Sequence, residues 1–519
     1  MGHKVKQSLM SSRIDFFYYA FRNVLLVSIP LLVVCGVVLS HLSFNSSATG
    51  SSTDQIQFSL SSSCTMSSVV GEAHTKEINN GTYHSDVGKT TITTLCNDGN
   101  GYSVYAVGYS NNEEGNNKLI NSSYPQYSID TGLATNGLTS TWAMKLNNIP
   151  DDPSPTPPTI ESDYNNVYGI VPPYWTKVAS RASGTTDMAQ GSSFTTTYAV
   201  YASSSQYAGT YVGQVQYVLI HPSQNADNIN LENSFISHGK NRRHIEGTGD
   251  YFAMQDMTTN ICNSVSGSGE ATSIQLVDIR DNKLYWVTKL KDGHCWMTQN
   301  LDLDLIQNKT YTHADTDLGW APDNFNVNAT WKPTGDLNWA QQKFDPYYVD
   351  LGNKYVYTSN SDADDIIYDS LSSCTSAGHT DCEHYHIGNY YNWNAARANG
   401  DDNTSICPAG WRLPNLDSNE YGNLLANYNI IQNNTSTTYL ENGFNNIRKA
   451  PLYFIRAGSK GDIASVDTAP GSGAGTYFYN KTTLYVGYLS FKVSTINPIA
   501  NNQYDAIRWY SFPMRCVAR

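Results

Sequence analysis

Apolar and polar positions follow three different rhythms along the chain. Near the amino terminus, Val24 to Leu42 reads VLLVSIPLLVVCGVVLSHL, 19 residues without Asp, Glu, Lys or Arg. At 1.5 Å per residue this is long enough for a helix across a hydrocarbon core of about 30 Å. Pro30 and Gly36 are compatible with such a span. From about residue 55 the rhythm changes to short Thr-, Val- and Tyr-rich runs split by Gly and Asn: KTTITTLC, YSVYAVGY, TTTYAVYAS and AGTYVGQVQYVLIHP. Alternation within them predicts half-buried strands, with Tyr211, Gly213, Val215, Tyr217 and Leu219 on one face. A third rhythm occurs late in the chain. Tyr421, Leu424, Leu425 and Tyr428 recur at i, i+3, i+4 and i+7, after Asp417 and Glu420 at capping-box spacing, which predicts a helix with one buried face.

These patterns divide the chain. Residues 1–22 carry Lys4, Lys6, Arg13 and Arg22 against Asp15 alone, so the positive-inside rule puts them in the cytoplasm. Residues 23–42 form the expected transmembrane helix; a cleaved signal peptide is the competing reading. Residues 43–54 are a Ser/Thr-rich stalk. Residues 55–222 read as one antiparallel β-sandwich, with the Pro-rich stretch at 150–158 as an insertion. Residues 223–273 hold few apolar runs and read as a connector. Lys240, Arg242, Arg243 and His244 form the one basic cluster there and read as a solvated face.

Composition narrows the function. The 519 residues carry a formal charge of −13, and only 15% are Asp, Glu, Lys or Arg, against about 25% in an average domain. An acidic chain without a basic tract is unsuited to binding nucleic acid through phosphates. With 40% hydrophobic residues it can bury real cores. Cys35 lies inside the apolar span; eight further cysteines follow it. An even number in an exported segment reads as a disulfide framework. The expected pairs are Cys64–Cys96, Cys262–Cys295, Cys374–Cys382 and Cys407–Cys516, one arrangement among roughly a hundred that eight cysteines allow.

From Leu276 the chain reads LVDIRDNKLYWVTKLKDGHCWMTQNLDLDL, and GNYYNWNAARA, ICPAGWRLPN and FPMRCVAR follow in order. Asp278 and Tyr285, then Trp296, Met297, Asn300 and Leu301, then Tyr391, Asn392, Trp393, Ala395 and Ala396 carry the pattern. So do Cys407, Pro408, Gly410, Trp411 and Pro414, and finally Arg515, Cys516 and Val517. Together they make residues 274–519 resemble the Fibrobacter succinogenes major paralogous domain. Asn282 stands near a family glycine, and Thr476–Asn480 departs from the family's Tyr-Trp-Ser-Ser. The resemblance implies an α+β C-type-lectin-like domain. The expected fold class is therefore multidomain: an N-terminal transmembrane helix, an all-β sandwich, then an α+β C-type-lectin-like domain. Trp296, Trp393 and Trp411 read as core aromatics.

No catalytic motif stands out. Asp302/Asp304, Asp362/Asp364/Asp365 and Asp401/Asp402 are the carboxylate clusters; paired acids suit hydrolysis or Ca²⁺, and loop solvation is the plainer reading. Sugar-binding C-type lectins hold calcium through carboxylate-bearing motifs. Leu413-Pro414-Asn415 and Trp393-Asn394-Ala395 supply no carboxylate, so that mechanism does not carry over. Around Cys374 and Cys382, His379, His384 and His386 are weak metal candidates. Asp401, Asp402, Asn403, Tyr390, Tyr477 and Tyr479 are the candidate ligand-binding residues. We expect no cofactor; Ca²⁺ or another metal has no positive support. The expected function is non-enzymatic adhesion: a membrane-anchored cell-surface protein, carboxy-terminal portion outside, binding a glycan or protein ligand on another cell or in the envelope. An extracellular hydrolase using paired Asp residues and a passive structural envelope component are the alternatives.

Overall fold

The computed structural model describes residues 64–72, 76–97, 99–111, 113–133, 139–149, 157–182, 191–221, 230–304, 332–333, 347–349, 352–358, 365–396, 405–414, 420–430, 446–455, 459–462, 465–467, 477–478, 487–492, 495–500 and 511–519. Strands β1 (Cys64–Glu72), β2 (Thr82–Cys96), β3 (Tyr102–Ser110), β4 (Thr141–Asn148), β5 (Thr176–Arg181), β6 (Ser192–Ala202) and β7 (Gln214–Ile220) carry the first half. In one sheet the order is β1-β2-β6-β4, continued by short strands at Ser128–Thr131, Leu119–Asn121 and Tyr211–Val212. The other is built on β7-β3-β5. Ile92, Trp142, Met144, Leu146 and Phe194 from the first sheet meet Val104, Ala106 and Val178 from the second in one core. Pairing among the described strands of the sandwich is antiparallel apart from the parallel contact of Ser128–Thr131 with β4 and an isolated parallel bridge between Leu146 and Asn165.

The second sheet has apolar residues on both faces. Val104 and Ala106 point into the sandwich core, while Val107 and Ile220 join the core of the carboxy-terminal half, with Tyr105 and Val218 packed against it. Alternation with period 2 thus serves two cores at once. Residues 223–273, read as a connector, contribute helix α1 (Leu231–Ser237), strands β8 (Arg242–Ile245) and β9 (Gly249–Ala253), and helix α2 (Thr259–Ser264). Leu231, Phe235, Phe252, Met254 and Ile261 are fully or almost fully buried in the shared core. Asn230 caps α1 by accepting from the Asn233 N–H, and Thr258 caps α2 by accepting from Ile261. Residues 64–519 cluster as one compact unit.

Strands β10 (Ile274–Asp278), β11 (Lys283–Lys289) and β12 (Cys295–Met297) extend β8-β9 into a seven-stranded sheet, completed by β14 (Trp411–Arg412) and β15 (Val517–Ala518). Strand β13 (Tyr390–Asn392) belongs to a neighbouring sheet. The last strand pairs between β12 and β14, one strand in from the edge of that sheet. Trp296 and Trp411 are fully buried, and their indole N–H groups donate to Asp292 Oδ2 and Met254 O, each at 2.8 Å. Trp393 lies in the four-residue helix α4 (Trp393–Ala396), which follows helix α3 (Leu371–Ser376); its side chain falls outside the described positions. Helix α5 (Glu420–Asn427) buries Tyr421, Leu424 and Leu425, as its spacing predicts, and Tyr428 packs against the same cluster. Asp417 lies outside the described residues.

All four expected disulfides are formed: Cys64–Cys96 across β1 and β2, Cys262–Cys295 from α2 to β12, Cys374–Cys382 from α3 to the following turn, and Cys407–Cys516 between the segments entering β14 and β15. The expected fold class is corrected. The described architecture is sheet-dominated, and its α-helices run from four to eight residues. Among the described residues no helix is long and apolar enough to cross a membrane. Eight residues span about 12 Å, against about 30 Å of hydrocarbon. The transmembrane helix is therefore no part of the described fold; 23–42 lie outside the described residues, as do 1–22 and 43–54. The described residues of the carboxy-terminal half form β-structure with short helices rather than α+β.

Candidate functional site

The carboxy-terminal candidates do not converge. Tyr390 is fully buried in β13, packed with Val356, Ile387 and Ile455, so its ring serves the core. Tyr477 falls in the strand Tyr477–Phe478, with its side chain outside the described positions. Tyr479, Asp401, Asp402 and Asn403 lie outside the described residues, as do Asp362 and Asp364. The three histidines face aromatic rings. His379 Nε2 sits 2.8 Å from the Tyr368 hydroxyl, and its ring stacks on Tyr357 at 3.7 Å. His384 stacks flat on Tyr453 at 3.9 Å beside Trp286. Burial, helped by the Arg515 charge, pulls its pKa down to about 4. Burial also lowers His386, which packs against Tyr355. With Cys374 and Cys382 joined, no thiolate is left beside them. Among the described residues no group of three or more His, Cys, Asp or Glu side chains is arranged to hold a metal.

The carboxylates of the β10–β11 hairpin are structural in geometry. Asp278 and Arg280 form a fully buried two-pronged pair: Nε–Oδ1 is 2.9 Å and Nη2–Oδ2 is 2.5 Å. Gln255 also donates to Asp278, at 2.7 Å. Burial and the neighbouring Asp278 carboxylate push Asp281 up to about 7, against the pull of Arg280 and Lys283. Asp302 Oδ2 accepts from Lys283 Nζ at 2.6 Å. Asn282, at the tip, takes φ +60°, the left-handed conformation that glycine and asparagine tolerate best.

The basic cluster lines a cleft of about 990 Å³ between residues 113–118 and 238–245. Each cation faces an acid. Arg242 pairs with Glu232, Arg243 approaches Asp256 at 3.7 Å, Lys240 approaches Asp256 at 3.9 Å, and His244 Nδ1 lies 2.8 Å from Asp250. Beneath them Glu114 is buried, and burial raises its pKa while Arg242 opposes the shift. Such a balanced set gives no net anion site.

Two surfaces on the sandwich escaped the sequence reading. A cleft of about 610 Å³ lies over the β2-β6-β4 sheet, on the face opposite the core. Thr91, Asn147, Thr195 and Thr197 line it from the sheet, and Asn165 and Asn166 from the segment beyond β4. Register between β2 and β6 slips twice, between Thr196 and Tyr198 and again between Tyr198 and Val200. The extra residues belong to β2, where Asp86 and Gly88 take φ +52° and +65°. These bulges form one end of the cleft. There Asp86 accepts from Lys145 at 2.7 Å and from the Tyr168 hydroxyl at 2.9 Å, and the lysine holds its pKa low.

The second surface is aromatic. Tyr124, Tyr127 and Tyr207 are 46%, 38% and 45% exposed, far more than the core tyrosines. Tyr127 and Tyr207 stack at 4.3 Å with planes 4° apart, and Tyr124 meets Tyr207 edge-on at 5.3 Å. Their loops are pinned. Asn121 Oδ1 accepts from Ser123 and Tyr124 N–H at 3.0 Å, Ser122 N donates to Thr210 O at 2.9 Å, and Tyr211 donates its hydroxyl to Tyr207 O at 2.7 Å. The signal available in the sequence was the spacing of Thr91 and Thr93, and of Thr195 and Thr197, two apart on one face. The cleft itself joins residues far apart in the chain.

No family model matches the chain, and neither a curated protein nor a solved structure matches it.

Proposed function

We propose that this chain is a non-enzymatic recognition protein of an oxidising, extracytoplasmic compartment that contacts a glycan or a protein on another cell or in the envelope. The observation that carries this reading is the Tyr124–Tyr127–Tyr207 patch. Three large rings stay substantially exposed on loops that backbone and side-chain hydrogen bonds hold in place. Rigid tyrosines offer contact area at low entropic cost, which is the property of a binding surface. Four disulfides support the compartment. The likeness of residues 274–519 to the Fibrobacter succinogenes major paralogous domain remains part of the proposal, with that half acting as the disulfide-closed frame behind the sandwich.

The test is a whole-cell and glycan-array binding screen with the oxidised full chain, with and without EDTA. We expect saturable binding that survives EDTA and weakens in Tyr127→Ser/Tyr207→Ser. A folded, oxidised chain that binds no cell, glycan or surface protein overturns the reading.

A further inference from the structure

Resting on the binding reading, we infer that the cleft over the β2-β6-β4 sheet is a saccharide site, selective for uncharged, polyhydroxylated ligands. Three observations point there. First, seven of its eleven lining residues carry uncharged polar side chains, beside Asp86, Gly88, Lys89 and Ile149. Asn147, Asn148, Asn165 and Asn166 present carboxamides, and Thr91, Thr195 and Thr197 present hydroxyls. Each carboxamide both donates and accepts, as does each hydroxyl. Vicinal hydroxyls on a sugar ring offer the same mixed pattern, so every ligand group finds a partner whichever way its O–H points. A phosphate or carboxylate ligand would want donors only, and a metal would want several carboxylates. The cleft holds one cation, Lys89, among side chains that accept as well as donate, and one acid, Asp86, already paired with Lys145 and Tyr168.

Second, two of the sheet residues hold oxygens without a hydrogen-bond partner: Asn147 Oδ1 and Thr197 Oγ1. Thr197 is 7% exposed, and a buried, unsatisfied polar atom carries a desolvation cost that a fitting ligand relieves. Third, the walls are built by unusual backbone. Two bulges in β2 and a left-handed Asn166, at φ +57°, flank the sheet. Bulges re-aim side chains beside functional sites, and here they give an otherwise flat sheet face a concave end. Peptide backbone also alternates donor and acceptor, but a peptide adding to a sheet needs an open edge, and β2, β6 and β4 are all interior strands of their sheet.

The test measures binding of the oxidised full chain to an array of short neutral oligosaccharides, their uronate- and sialate-bearing counterparts, and a panel of extended peptides. Thr197→Val and Asn166→Asp are compared with wild type, each checked for an unchanged circular dichroism spectrum. Leu371→Ser, at an exposed position of α3 outside both the cleft and the tyrosine patch, serves as the control. We expect a neutral oligosaccharide to bind, with affinity falling about tenfold or more in Thr197→Val and unchanged in Leu371→Ser. If Thr197→Val fails to fold, Asn166→Asp must produce the loss. Neutral glycan binding that persists in both cleft variants overturns the site while leaving the binding reading intact. Preference for acidic glycans or for peptides overturns the ligand class. Absence of binding to any probe or cell overturns the binding reading itself.

Discussion

The Arg515 guanidinium donates from Nε to Asn300 Oδ1 at 2.9 Å, although the two residues are 215 positions apart. The same side chain donates to Leu452 O at 2.6 Å and to Tyr453 O, and lies over the Phe454 ring at 4.3 Å. It is 1% exposed, and no carboxylate pairs with it among the described residues. Burial accordingly pulls its pKa down to about 9. One cation thus joins the segment after β12, the loop at 452–454 and the approach to the last strand. Replacing Arg515 with Met should leave two carbonyls and the Asn300 amide oxygen unpaired and cost roughly 3–5 kcal/mol. Urea unfolding of the oxidised chain checks this; a loss under about 1 kcal/mol would mean that water takes over the vacated bonds.

Beside Arg515, the Cys407–Cys516 bond closes the longest of the four loops, with a sequence separation of 109. In the chain-entropy view such a closure stabilises by about 4–5 kcal/mol. Cys407→Ala/Cys516→Ala should therefore lower the urea midpoint far more than Cys374→Ala/Cys382→Ala, whose separation is 8. Equal losses from the two double variants would contradict the loop-length account.

His384 makes stability depend on acid. Its folded pKa, about 4, is below the value of about 6.5 for a free histidine. Between those values the unfolded chain holds a proton that the folded chain refuses. Stability is therefore retained above about pH 6.5 and falls as pH drops towards 4, by an amount on the order of 2–3 kcal/mol. His384→Phe should keep the stack between Tyr453 and Trp286 and flatten the melting temperature over that interval. Its Nδ1 has no hydrogen-bond partner to lose. An unchanged pH slope in the variant would refute this assignment.

Asp281 has the opposite sign. Its folded pKa, about 7, exceeds the ordinary aspartate value of about 3.9. The folded chain then holds a proton that the unfolded chain has lost, so this group costs stability as pH rises from about 4 through 7. Asp281→Asn should raise the melting temperature at pH 8 and change it little at pH 4. The Lys283 N–H that Asp281 Oδ1 accepts at 3.2 Å can be kept by the amide oxygen. A lower melting temperature at pH 8 would show that the charged form is favoured.

Local pattern made much of this protein legible. Period-2 runs marked β3, β6 and β7, and i, i+3, i+4 spacing marked the buried face of α5, because burial on one face imprints its period on the sequence. The four cysteine pairs anticipated from chain order are formed, and in each case the partner is the next cysteine along the chain. Tertiary structure decided the rest. Residues 223–273 look too polar for a core, yet Leu231, Phe235, Phe252 and Met254 are buried there, because a few scattered apolar side chains suffice when two sheets share one interior. Tyr390 and the exposed Tyr127 are the same residue type, and only packing separates a core ring from a surface one. The asparagines and threonines of the sandwich cleft come from four segments between Thr91 and Thr197, and no local period links them. Sequence periodicity records which side of its own element a residue faces. Which elements then lie side by side depends on strand pairing over long separations, and that is where the cleft, the Arg515 latch and the shifted pKa values arise.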